Sequence, residues 1–131
     1  CLVGPESELV EAFRGAGGGD KPVQAGTKVC WDRDPDNALK VAHRLWANDA
    51  LPGQLPQTLP RPKDFAELMS LVPPEQVADA ITCGPDPDKH AATVRQHFEA
   101  GIDEVYVQQI GPDIEGFFAT WEREVLPQLR Q

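Results

Sequence analysis

Residues Cys83–Ile110 read CGPDPDKHAATVRQHFEAGIDEVYVQQI. Gly84-Pro85 marks a turn at the end of an apolar segment, and Asp86 stands where a helix N-cap belongs. Pro87 suits the first helical position, and Asp88 adds negative charge where the helix dipole favours it. Ala91, Val94 and Phe98 recur at helical spacing, which predicts a helix over 88–100 with those three inward. Gly101 stops it. EVYVQQI, 104–110, then reads as a strand. A glycine turn feeding a helix is also a common phosphate cradle. Here two carboxylates flank the helix start and would repel a phosphate, and the turn offers a single glycine. The stretch reads as scaffold: strand end, turn, helix, strand.

The same grammar occurs upstream. Cys30–Asn37 (CWDRDPDN) and Cys83–His90 (CGPDPDKH) each place Asp-Pro-Asp after an apolar segment and before a helix. Residues 22–31 (PVQAGTKVCW) read as a strand in which Val23, Ala25, Val29 and Trp31 alternate with Gln24, Gly26, Lys28 and Cys30. A helix carrying Leu39, Ala42, Leu45 and Trp46 follows. Strand, helix and short link in alternation imply parallel β/α units. Two full strands cannot close a barrel or build a doubly wound sheet, so the pattern is that of part of a larger α/β fold.

Elsewhere, 6–16 reads as a helix with Leu9, Val10, Phe13 and Ala16 on one face, ended by Gly17-Gly18-Gly19. Residues 47–62 read as a loop in which Leu-Pro occurs at 51, 55 and 59. That four-residue spacing does not match polyproline II. Short helices are expected at 63–71 and 74–80. Gly111-Pro112-Asp113 opens a last helix with a stripe of Ile114, Phe117, Phe118, Trp121, Val125 and Leu129.

Twelve basic against 21 acidic residues give a net charge of -9. That balance argues against a nucleic-acid or anionic-membrane surface. No run reaches the length of a membrane span. Cys1, Cys30 and Cys83 are odd in number and widely spaced, which fits neither a disulfide framework nor a CxxC metal site and makes a reducing cytoplasm the default. The chain opens on CLVG rather than Met, like the exit of a buried strand, and reads as either processed or a piece of something longer.

The motifs for chemistry are sparse. His43, His90 and His97 fall in expected helices, form no HExxH, and read as solvated or half-buried rather than as metal ligands. GAGGGDKP follows a helix rather than a strand and reads as a helix stop. Lys28 lies mid-strand. It is either an interior or active-site lysine, which then needs a carboxylate partner, or an edge lysine that blunts a sheet. Gln108 and Gln109 end the last strand, and Trp31-Asp32 ends the earlier one. Strand C-termini are where α/β enzymes build sites, so one glutamine is expected to face a pocket and the other to pair with a neighbouring helix. No self-contained catalytic set and no metal site are present in the sequence.

The C-terminal segment resembles the end of the luciferase-like flavin and deazaflavin oxidoreductases. The markers are Gly-Pro-Asp-Pro before a helix, AGIDEVYV, QIGPD, and the closing EGFF with EREVLPQL. It is most similar to the branch that includes the deazaflavin (coenzyme F420)-dependent glucose-6-phosphate dehydrogenases. KVCWDRDPDNALKVAHRLW resembles the preceding unit. The resemblance implies a single partial domain over 1–131, the C-terminal part of a TIM-like (β/α)8 barrel, with an insertion at 48–80 over the barrel mouth. Cys1–Gly4, Pro22–Trp31 and Glu104–Ile110 would be strands six, seven and eight. It also implies a cytoplasmic homodimer acting on a small-molecule substrate, with F420 held mainly by residues outside this segment. Leu2, Val3, Gly4, Trp31, Lys28 and Gln108 are the substrate-pocket candidates. The sugar-phosphate enzymes of this branch use basic residues at positions that correspond to the neighbourhoods of Pro5, Pro56 and Ala80. None of those positions is basic here, so glucose-6-phosphate is not the expected substrate. Two alternatives remain open: an FMN-dependent monooxygenase of the same fold, and a non-enzymatic module that pairs with itself or another chain.

Overall fold

The structure is a computed structural model and describes residues 2, 4–53 and 55–130. Its centre is β1 (Gln24–Cys30), the middle strand of a parallel sheet. β3 (Glu104–Gln109) pairs along one edge of β1, from Gln24–Glu104 to Val29–Gln109. On the other edge β2 (Thr82–Cys83) pairs only at the C-terminal end, Val29 with Thr82 and Cys30 with Cys83. Nearer the start of β1, Leu2 bridges to Ala25 in parallel on that same edge. Lys28 therefore lies on the central strand, and the edge-lysine alternative is excluded.

Odd-numbered residues of β1 and β3 face a layer of helices. There Val29 and Trp31 pack with Ala91 and Val94 of α6 (Pro87–Glu99), and with Phe117, Trp121 and Val125 of the C-terminal helix. Burying each of these large side chains stabilises the fold by roughly 1.5–3 kcal/mol. The C-terminal helix starts as α7 (Ile114–Thr120), with Asp113 Oδ1 accepting from the Gly116 N–H at 2.8 Å. It widens into a π-type turn over Trp121–Val125 and ends as α8 (Leu126–Leu129). Pro127 accounts for the widening: it has no N–H, and its ring conflicts with the carbonyl four residues back.

The Asp-Pro-Asp starts form as their spacing predicts. The Asp34 side chain accepts from Asp36 N–H at the head of α2 (Pro35–Trp46), and Asp86 accepts from Asp88 N–H at the head of α6, both at 3.0 Å. After α2 the chain builds a small cap. It comprises a tight 3-10 turn at Ala47–Ala50, α3 (Leu55–Thr58), α4 (Pro62–Met69) and α5 (Pro74–Ala80). The expected loop over 47–62 thus contains two short helical pieces. Cys30, Ala38, Ala42, Ala47, Val77 and Ile81 form the core that ties this cap to the end of β1. A third cluster joins Val10 of α1 (Ser7–Phe13) to Val23, Ala25 and Ile102.

Several apolar positions expected to face inward are on the surface. Phe98, Ile114 and Phe118 are exposed, as are Leu9 and Phe13 of α1. In α6 the buried stripe is rotated by one residue, so that His90 and His97 are buried in place of Phe98. Both histidines were expected to be solvated or half-buried. Each instead bonds a backbone carbonyl through one ring nitrogen: His90 Nε2 to Gly84 O at 2.9 Å, and His97 Nδ1 to Thr93 O at 2.8 Å.

Candidate functional site

The even-numbered face of the sheet is open along β3 and along β1 as far as Lys28; at Cys30 it is covered by α2 and the cap. On it Gln24, Gly26 and Lys28 stand beside Glu104, Tyr106 and Gln108, pair by pair. At the end nearer the strand starts the polar groups satisfy one another. Gln24 Nε2 donates to Glu104 Oε2 at 2.6 Å, and the Tyr106 hydroxyl donates to the same oxygen at 3.2 Å. The Glu104 carboxylate pushes the Tyr106 phenol above its ordinary value. This end is held closed by its own hydrogen bonds.

Towards the strand C-termini the face forms an open cleft of about 230 Å³, lined by Gly26, Lys28, Tyr106 and Gln108 among others. A Cβ on Gly26 would meet no atom within 4 Å, so the floor is flat there. Lys28 Nζ lies 2.8 Å from Asp49 Oδ2 and 4.4 Å from the centroid of the Trp46 ring. Both partners come from the cap, Trp46 from the end of α2 and Asp49 from the 3-10 turn. An interior lysine needs a carboxylate, and the cap supplies it. The aromatic face adds a cation–π contact. Neither Trp46 nor Asp49 was identified from sequence. The available signal was a tryptophan at the end of an amphipathic helix that leaves a strand bearing a mid-strand lysine.

The other candidates are distributed unevenly. Gln108 is exposed on the cleft. Gln109 faces the other way and closes both of its amide bonds on Trp31: its Oε1 accepts from Trp31 N–H at 2.8 Å and its Nε2 donates to Trp31 O at 2.9 Å. Trp31 itself is buried among the helices, with its ring under Gly116, and does not reach the cleft. Leu2 lies on the edge of β1 away from β3, Gly4 is half-buried in the turn that follows, and Val3 lies outside the described residues. The Gly84 turn is fully used. Gly84 adopts φ +99°, its N–H donates to Cys30 O at 2.9 Å, and its carbonyl receives His90. The Gly84 N–H is therefore not free to cradle a phosphate.

A larger cavity, about 430 Å³, lies on the helical side between α6, β3 and α7–α8. Its lining is apolar and aromatic, with nothing placed to orient a polar substrate. Among the described residues, no group of three or more His, Cys, Asp or Glu could hold a metal ion. No described helix is long and apolar enough to cross a membrane.

No protein-family model matches the chain. Curated relatives do. F420-dependent glucose-6-phosphate dehydrogenase 2 of Rhodococcus jostii is 30% identical over 111 residues, which is 85% of this chain and 32% of the relative. The Kribbella flavida F420-dependent glucose-6-phosphate dehydrogenase is 32% identical over 104 residues, 79% of this chain and 31% of the relative. Among solved structures, an F420-dependent secondary alcohol dehydrogenase in complex with an F420-acetone adduct superposes with a TM-score of 0.74. It covers 95% of this chain and 38% of that one at 23% identity. The F420-dependent tetrahydromethanopterin reductase of Methanopyrus kandleri gives 0.58 over 82% of this chain and 35% of that one at 22% identity. This chain is homologous to about a third of an F420-dependent, luciferase-like enzyme.

The fold is accordingly the C-terminal part of a TIM-like barrel of the luciferase-like type. The even-numbered face of β1 and β3 is the side away from the helical layer, and in a luciferase-like barrel that side is the interior. The residues present fit F420 only in part. Gly26 offers a flat wall to a planar ring, but the cation of the cleft, Lys28, is already held by Asp49. These residues do not make a phosphate site for the cofactor, and no step of a reaction follows from them alone.

Proposed function

We propose that this chain forms one wall of the substrate pocket in an F420-dependent oxidoreductase. The deazaflavin, when bound, supplies the hydride chemistry. Residues outside this segment hold it. The part of Lys28, Gln108 and Gly26 is to shape the pocket and orient an oxygen of a small substrate. Burial under the cap excludes water from the end of the cleft nearest Lys28.

The substrate is less polar than a sugar phosphate. The observation that carries this is the pairing of Lys28 with Asp49 at 2.8 Å. Phosphate recognition leans on Lys and Arg, and here the lysine of the cleft is neutralised by the cap. The positions near Pro5, Pro56 and Ala80 add no compensating charge. The structural likeness to a secondary alcohol dehydrogenase supports a small alcohol or ketone as the substrate class. The relatives and neighbours reported above all carry F420-dependence in their names, which weighs against the FMN and non-enzymatic readings.

Among the described residues no strand pairs with the outer edge of β3, and that edge with the exposed Phe98 and Phe118 leaves surface to be covered. That supports the remaining strands of a barrel and a homodimer. The test is F420 reduction by the protein as isolated, followed by loss of the oxidised deazaflavin absorbance. Turnover of secondary alcohols with none of glucose-6-phosphate is expected; brisk turnover of glucose-6-phosphate overturns the reading.

A further inference from the structure

Cys30 and Cys83 are directly paired in register on neighbouring parallel strands. Register partners on parallel strands project to the same face. Neighbouring strands run roughly 4.8 Å apart, inside the range of about 4.4–6.8 Å that a disulfide spans between Cα atoms. Both are free thiols; Cys30 is buried and Cys83 half-exposed. They share the core cluster that fastens the cap. β2 is two residues long and lies at the sheet edge, so it can make the small shift a bond requires.

We propose that Cys30 and Cys83 form a dithiol site that closes to a disulfide, covalently pinning the return of the cap to the central strand. The oxidant is a small-molecule disulfide. The Cys83 thiolate, the more accessible, attacks it and expels one small thiol, leaving a mixed disulfide on Cys83. The Cys30 thiolate then attacks Cys83 Sγ and expels the second. Two protein thiols lose two electrons and two protons, and one small disulfide becomes two thiols. Burial pushes Cys30 up to about 11 and Cys83 up to about 12, with the negative charge of Asp32 adding to the first and that of Cys30 to the second. The thiolate fraction is therefore small at neutral pH, and closure quickens as pH rises.

The test treats the folded protein, as isolated, with excess oxidised glutathione at mildly alkaline pH, blocks remaining thiols with iodoacetamide, and maps peptides by mass. A peptide joining Cys30 to Cys83, lighter by about 2 Da for the two hydrogens lost, is expected, together with a higher melting temperature that dithiothreitol reverses. Cys30→Ser should trap glutathione stably on Cys83, whereas Cys83→Ser should leave Cys30 unmodified. The proposal is overturned by a stable glutathione adduct on Cys83 beside a free Cys30 in the unsubstituted protein. It is equally overturned by two free thiols, or by a link that forms only in urea.

Discussion

Lys28 Nζ lies 2.8 Å from Asp49 Oδ2, joining the open face of the central strand to the 3-10 turn of the cap. The side chains are 19% and 25% exposed, between a surface pair and a buried one. Surface pairs are worth about 0–1 kcal/mol, and breaking a buried one costs about 3–5. A double-mutant cycle of Lys28→Met and Asp49→Asn should give a coupling of about 1–2 kcal/mol in urea unfolding, the value between those limits. Coupling indistinguishable from zero would mean that the cap is held by its apolar core alone.

Gly116 separates two opposing effects. Alanine in a helix is favoured over glycine by about 1 kcal/mol. A Cβ there, however, would sit 2.3 Å from Trp31 Cζ3 and 2.6 Å from Asp113 Oδ2. Trp31 is enclosed by the helical core and cannot give way cheaply, and overpacking of this kind costs about 1–3 kcal/mol. Gly116→Ala should therefore destabilise, by up to about 2 kcal/mol net. Thermal unfolding reads the sign directly: a raised melting temperature would show that Trp31 has room to move.

What could be read from sequence was local. The Asp-Pro-Asp starts at Asp34 and Asp86 depend on contacts within three residues, and they form as written. The order of strands and helices also followed, because turn and period signals are local. Helix phase was less legible. In α6 a stripe through His90, Val94 and His97 fits helical spacing as well as one through Phe98, and only packing chooses between them. Trp31 was legible in principle: the alternation that buries Ala25 and Val29 buries Trp31 with them, on the helical side and away from the cleft. The pairing of Lys28 with Asp49 was not, because nothing local says where the cap folds back.

His90 should make the fold sensitive to mild acid. Its ring is buried against Trp121, with centroids 5.6 Å apart, and its Nδ1 has no hydrogen-bond partner. Burial holds it below the ordinary value of 6.5, with the Gly84 carbonyl and the Asp86 charge opposing in part. Below that value the unfolded chain takes up a proton that the folded chain refuses. Stability should thus fall as pH drops below about 6.5, by at most about 1.4 kcal/mol per pH unit for one group, and level off at the folded value. His90→Gln should flatten this slope between about pH 6.5 and 5, read from urea midpoints. An unchanged slope would assign it to the carboxylates.

The two glutamines at the end of β3 should separate cleanly. Gln109 replaces a missing rung of the ladder, giving one bond to each backbone group of Trp31. Gln109→Glu keeps the acceptor and removes the donor, so a carboxylate oxygen would face the Trp31 carbonyl. Leaving a partly buried carbonyl unpaired beside a charge costs about 1–3 kcal/mol. Gln108, exposed on the cleft, bonds nothing in the sheet's own frame beyond the ladder. Gln108→Ala should leave the unfolding midpoint within about 0.5 kcal/mol of the parent, while changing KM for the substrate. Measuring both variants in one unfolding and one kinetic series decides the assignment. If Gln108→Ala destabilises as much as Gln109→Glu, the side chain is structural and the cleft loses its clearest substrate-facing group.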